Sequence, residues 1–255
     1  MPVLFIGHGS PMNAIEKNTF TKEWVKIANS IPRPKAILCI SAHWHKNSPT
    51  EITASEKLHT IHDFHGFPKQ LFEVNYSPLG NETLCQQISQ KVSATEIKLN
   101  HEYGIDHGAW SILMHMFPKA DISVLQLSID KDKNPQWHYE LGKELKFLRN
   151  EDVLIIGSGN IVHNLSLLDW QYTKSGYEWA NSASEKLKKL IFKNDIHKLT
   201  DYTKLGAEVN LAIPSPEHFL PLLYVLGMKE HEDNIIMFND ELVMGSLSMT
   251  SLRIG

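Results

Sequence analysis

The segment VLIIGSGNIVHN, residues 153–164, decides the fold. Its first five residues are apolar or glycine without alternation, as a strand covered on both faces requires. Gly157-Ser158-Gly159-Asn160 then breaks the run, and an apolar pair leads to His163. Three more runs read the same way: 3–6, 36–41 and 122–127. Between them lie helical stretches at 81–92, 107–116, 135–148, 178–192 and 216–226, two of them with proline at the start. Runs at 235–238 and 244–254 read as strands returning to the sheet edge. Strands alternating with helices predict an α/β fold: one domain over residues 1–255, with a central mixed, mostly parallel sheet flanked by helices. The proline-, glycine- and histidine-bearing stretch 48–80 reads as a long loop. Its aromatics Phe64, Phe67, Phe72 and Tyr76 favour a folded lid or pocket wall over disorder.

The 255 residues, 42% hydrophobic, suffice for one full core. A formal net charge of −4 in mixed sign excludes the basic surface that nucleic acid needs. No apolar stretch is long enough to span a bilayer, and the N-terminus lacks the positive region of a signal peptide. Cys39 and Cys85 form no CxxC pair and read as reduced thiols of a cytoplasmic protein. No phosphate-binding glycine loop occurs, and Ser10 and Ser158 lack the GxSxG elbow of a serine nucleophile. The six tryptophans read as core or pocket wall.

The chain has 14 histidines, so position must separate ligands from packing residues. His8, His43 and His163 each follow a predicted strand, at the edge where open α/β sheets bind ligands. His218, in Pro214-Ser215-Pro216-Glu217-His218, is expected in the first turn of a helix, held rigidly by the prolines. These four suit a nitrogen-rich site for zinc, iron, copper or nickel. For any one alone, a packed histidine bonded to backbone remains open; the four jointly favour a metal. His107 opens a predicted helix with Asp106 as N-cap; that terminus favours a neutral imidazole suited to acid–base work. His62 and His65 could line the pocket from the loop, although His65 also reads as a surface turn. Glu217, as a helical neighbour of His218, should point about 100° away and so not share its ion. His45, His59, His101, His115, His138, His197 and His231 read as surface or packing residues.

Eight motifs then extend this reading: GHGSPMN at 7–13, SAHW at 41–44, TIHDFHGFP at 60–68, GIDHGAW at 104–110, VLQLSID at 124–130, GSGNIVHNL at 157–165, PSPEHFLPLLYVLG at 214–227 and MGSLSM at 244–249. Together they resemble the 4,5-DOPA extradiol dioxygenase family, within the class III (LigB-type) ring-cleaving dioxygenases. The resemblance implies a LigB-like α/β fold and O₂-dependent cleavage of a catechol beside its hydroxyls, with L-DOPA as the type substrate. It places His8, His43 and His218 on metal-ligand positions. It places His163 on a position described as a further ligand or as the acid/base residue. His107 falls on a pocket histidine that touches substrate or oxygen. It implies one divalent metal, Fe(II) for catalysis or Zn(II) as bound, with a catechol and O₂ as partners; a homo-oligomer is left open. The wider class uses glutamate as third ligand where this chain has His218. Zinc is redox-inert, so the residues alone leave open a zinc-dependent hydrolase and a non-catalytic metal-binding protein.

Overall fold

A computed structural model describes residues 1–255. In chain order the elements are β1 (Val3–Gly7), α1 (Thr19–Asn29), β2 (Ala36–Lys46), β3 (Thr50–Thr53), α2 (Lys69–Phe72), α3 (Glu82–Lys91), β4 (Ile97–Asn100), α4 (His107–Met116), β5 (Ser123–Asp130), α5 (Pro135–Leu145), β6 (Val153–Gly159), α6 (Glu178–Phe192), α7 (Ile196–Thr200), α8 (Ala207–Ala212), α9 (Leu220–Gly227), β7 (Ile235–Phe238), β8 (Leu242–Val243), β9 (Leu247–Ser248) and β10 (Ser251–Ile254). Eight strands form one sheet in the order β4-β3-β5-β2-β6-β1-β10-β7. The central strands β5, β2, β6 and β1 run parallel, while β10, β7 and the β3–β5 pair are antiparallel. The expected α/β architecture is therefore the observed one.

Burial on both faces explains the unalternating apolar runs. On β1, Val3 and Phe5 pack with Leu38, Ile40, Ile155 and the helices α3, α5, α6 and α9. Leu4 and Ile6 point the other way, onto Cys39, Ile156, α1 and α4. Hydrophobic burial on two faces of one strand is what selects apolar residues without alternation.

Several boundaries depart from expectation. The stretch 48–80 is not one loop, since it contributes β3 and α2. β3 is four residues long and makes a single antiparallel partner pair with β5, so its pattern is too short to read as a strand. α1 lacks a start signal in the sequence because its capping box pairs Asn18 with Thr21, without the acidic residue that marks such boxes. The stretch 244–254 is two short strands, β9 and β10, parted at Met249 and Thr250; its first residues, Met244 and Gly245, take positive φ of 51° and 79° in the turn between β8 and β9. The last helix begins at Leu220; residues 216–219 form a tight turn in which Phe219 N–H donates to the Pro216 carbonyl. No helix is long and apolar enough to cross a membrane.

Two glycines let elements approach. A Cβ on Gly159 would lie 2.1 Å from the His218 carbonyl, so only glycine lets the 216–219 turn rest on the end of β6. A Cβ on Gly108 would lie 2.5 Å from Ser41 Oγ and 2.8 Å from the His43 ring, so α4 can start against β2.

His138, expected as a packing residue, is fully buried on α5, with Nδ1 2.9 Å from the Tyr224 hydroxyl. Burial lowers its pKa to about 4. The folded state thus holds it neutral while the unfolded chain protonates it below about 6.5. Its contribution is fully present above that pH and is lost as pH falls toward 4, by about 3 kcal/mol. His138→Phe should therefore lose less stability than the parent between pH 7 and 4.5 in urea unfolding. Equal losses in the two proteins would refute the assignment.

Candidate metal centre

His8 follows β1 directly, and Gly9 beside it takes φ +65°, the turn expected there. His43 was expected just past its strand. Instead β2 continues to Lys46, and the register against β5 shifts between Ile40 and His45. Such a bulge re-aims side chains at a sheet rim. His218 sits on the 216–219 turn and not within a helix. His163 follows the Gly157–Asn160 break, and its N–H donates to the Ala212 carbonyl. His107 opens α4, whose N-cap Asp106 accepts from the Ala109 N–H as anticipated. All five rings line one cavity of about 350 Å³ at the carboxyl ends of the parallel strands.

Ring geometry sorts these histidines. The centroids of His8, His43 and His218 form a nearly equilateral triangle with sides of 5.1, 5.3 and 5.1 Å. Three imidazoles holding one ion tetrahedrally, with metal–nitrogen bonds of about 2.0–2.1 Å, place their centroids about 5.2 Å apart. His163 instead stacks on His218 at 3.4 Å and 8°. His107 lies 3.8 Å from His43. Neither pair has the separation of two rings directed at one tetrahedral ion, although a ligand nitrogen of His107 lies within 4.8 Å of those of His8 and His43, and one of His163 within 4.8 Å of those of Glu217 and His218.

Hydrogen bonds decide which nitrogen each ring presents. Ser158 Oγ donates to the Gly108 carbonyl at 2.6 Å, so at 2.9 Å from His8 Nδ1 it accepts. His8 therefore carries its proton on Nδ1 and has a bare Nε2. Asp63 Oδ2 lies 3.3 Å from His43 Nδ1 without hydrogen-bond alignment, and its negative charge favours the proton on that nitrogen, with His43 Nε2 bare as well. The two bare nitrogens face each other at 3.2 Å, a repulsive contact that a cation between them would relieve. His218 Nδ1 bonds Glu217 Oε1 at 3.3 Å, leaving its buried Nε2 without a partner. An acceptor on the far nitrogen of each ring is how metal-binding histidines are oriented.

Charge agrees. Burial, reinforced by the neighbouring imidazoles, pushes the pKa of His8 and His218 well below the usual histidine value. Burial and His107 lower that of His43, against the pull of Asp63. All three are neutral, as ligation requires. Burial alone would raise the Asp63 pKa, but the His107 and His43 rings outweigh it and keep the carboxylate ionised. Asp63 Oδ1 accepts the His107 backbone N–H at 3.0 Å, while Oδ2 lies 3.0 Å from His107 Nδ1 without hydrogen-bond alignment. Burial also lowers His163, to about 4, against Glu217, which raises it.

Three supporting residues were not anticipated in these roles. Asp63 stands between two histidines of the long loop but was given no role. Ser158 was weighed only as a nucleophile. Glu217 was expected to point away from His218; the turn replaces the helix there, so its carboxylate reaches both His218 and His163. His65 lines the mouth of the cavity. His62 does not; its Nε2 meets the Val74 carbonyl at 3.0 Å and its ring packs edge-on to Phe64 and Trp110. Phe64 and Phe67 are pocket wall, whereas Tyr76 is buried and donates to the Phe117 carbonyl.

The family model described as the catalytic LigB subunit of aromatic ring-opening dioxygenase matches residues 2–247. A protein of Escherichia coli K12 named 4,5-DOPA dioxygenase extradiol is 43% identical, over 100% of this chain and 95% of its own. A Beta vulgaris protein of the same name is 36% identical, covering 88% and 85%. The crystal structure of an uncharacterized Escherichia coli K12 protein superposes over all of both chains with a TM-score of 0.87 and 40% identity.

Proposed function

Because the chain belongs to the LigB family of aromatic ring-opening dioxygenases, we propose that it cleaves a catechol beside its hydroxyls, with O₂, using one divalent ion held by His8, His43 and His218. The observation that carries the reading is the triangle of neutral imidazoles with unspent Nε2 atoms at the floor of an aromatic-walled cavity. In this reading residues 1–255 form one catalytic domain. Two free, buried thiols accord with a cytoplasmic setting.

Three protein ligands leave positions open for substrate, as catalytic sites require. When bound, the ion would acidify the catechol hydroxyls and supply the redox route to O₂, which suits Fe(II) and not Zn(II). The chain's own residues do the rest. His163, beside the triangle and not in it, takes the proton from a catechol hydroxyl and gives it back when the O–O bond breaks. Glu217 supports the charge His163 then carries. His107, at the N-terminus of α4, hydrogen-bonds dioxygen or the catechol oxygen. Asp63 fixes the His43 ring, Ser158 the His8 ring and Glu217 the His218 ring. Phe64 and Phe67 exclude water from one wall.

The test is anaerobic loading with Fe(II), addition of L-DOPA or protocatechuate, then O₂. A yellow ring-opened product should appear only after O₂, one O₂ consumed per catechol. Product formed without O₂, or none from any catechol with O₂ and Fe(II) present, overturns the proposal.

A further inference from the structure

His43 sits on a stretch of β2 that no neighbouring strand holds. The register with β6 ends at Ser41, and that with β5 lapses after Ile40 and resumes at His45. Residues 42–44 therefore have no register partner on either side, as a bulge entails. Two other contacts fasten them. Ser41 Oγ accepts the His43 N–H at 3.2 Å, and the Trp44 ring stacks on Tyr103 at 4.0 Å and 3°. Both fastenings end on one group: Ser41 Oγ donates to Asp106 Oδ1 at 2.7 Å, and the Tyr103 hydroxyl donates to Asp106 Oδ2 at 3.3 Å.

Asp106 is fully buried. Besides Ser41 and Tyr103, its carboxylate accepts the Ala109 N–H at 3.2 Å and the Gln126 side-chain amide. Four donors fill the roughly four acceptor sites of a carboxylate, which is what keeping a charge out of water demands. Capping α4 would need only the Ala109 bond. Gln126 contributes twice, since its Oε1 also accepts the Asp106 N–H at 3.3 Å. The Gln126 N–H in turn donates to Thr53 Oγ1 at 2.8 Å, which ties the carboxylate to both β5 and β3.

Resting on the reading of His43 as a metal ligand, we propose that Asp106 is a positioning residue of the centre. Through Ser41 and Tyr103 it holds the bulged segment that carries His43, and as N-cap it holds the first turn of α4, where His107 begins. The carboxylate touches neither ion nor substrate. Its effect is to keep two rings of the cavity floor in register with each other although they come from different elements.

The test compares the parent with Asp106→Asn, Ser41→Ala and the double variant Asp106→Asn/Gln126→Glu. Co(II) is the probe, its affinity read by competition with a chelator and its coordination by visible absorption; melts of the metal-free proteins follow the fold. In Asp106→Asn the Ala109 cap persists, but Gln126 can accept from the new side-chain amide or from the backbone N–H of residue 106, not from both. Co(II) affinity should fall about tenfold, the lower end of what an outer partner of a ligand is worth, and the absorption band should change. With Fe(II) and L-DOPA, kcat should fall by more than KM rises. Gln126→Glu accepts from both groups, so the double variant should recover Co(II) affinity to within about threefold of the parent. Ser41→Ala cuts only the link to His43, and should lose about tenfold in affinity while melting within a few degrees of the parent. Parent affinity and spectrum in Ser41→Ala end the proposal, and decide it alone if Asp106→Asn does not fold. A double variant that melts like the parent without regaining affinity ends it too. A parent that binds Co(II) yet opens no catechol ring with Fe(II) and O₂ would instead end the ring-cleavage reading, with the affinities still deciding the role of Asp106.

Discussion

Replacing His218 by alanine is expected to cost the protein its metal while leaving its fold intact. Removing an outer partner of a metal-bound histidine lowers affinity about 10–100-fold, and removing the ligand itself should exceed that range. Ring cleavage should fall to background. The separating measurement is the stability of the metal-free protein. His218 Nε2 is buried and has no hydrogen-bond partner, so it costs the fold free energy in the absence of an ion. His218→Ala without metal should unfold within a few degrees of the parent, although a buried side chain has been removed. Metal content after dialysis, read by emission spectroscopy beside a thermal melt, tests both halves. A variant that keeps full metal, or that melts far below the parent, would make His218 a packing residue.

His163→Ala should behave differently: metal content full, kcat lower by about 10²–10⁴, the usual worth of a positioned acid–base group. The geometric reason is the 3.4 Å stack on His218, which is not the separation of two rings directed at one tetrahedral ion. The electrostatic reason is a pKa near 4, which keeps the ring a free base across the neutral range. The Glu217 carboxylate beside it steadies the imidazolium formed during turnover. Metal loss equal to that of His218→Ala would make His163 a ligand. Unchanged turnover with full metal would remove it from the chemistry.

The residues that the sequence pattern misplaces share a cause. The central strands were legible because β1, β2, β5 and β6 are apolar on both faces, a pattern that short polar edge strands such as β3 cannot show. The histidines at strand ends were legible because glycine punctuates two of those ends. What the chain order hides is the network behind them. Asp63 pairs with His43 and His107 across a loop, Ser158 with His8 across the sheet, and neither spacing repeats. Glu217 was misjudged because proline at 214 and 216 predicts a helix start, and a side chain's direction differs wholly between a helix and a turn. The division between ligands and proton carriers lies in ring separations that no linear pattern contains.

His8 and His218 stand about 200 residues apart along the chain, yet their rings are 5.3 Å apart. Anything that grips both acts as a reversible staple across nearly the whole polypeptide, and closing so long a loop in the denatured ensemble removes much of its freedom. Occupancy of the centre is thereby coupled to the integrity of the entire sheet: a ligand bound at one rim resists unzipping everywhere, and a break in any central strand loosens its hold.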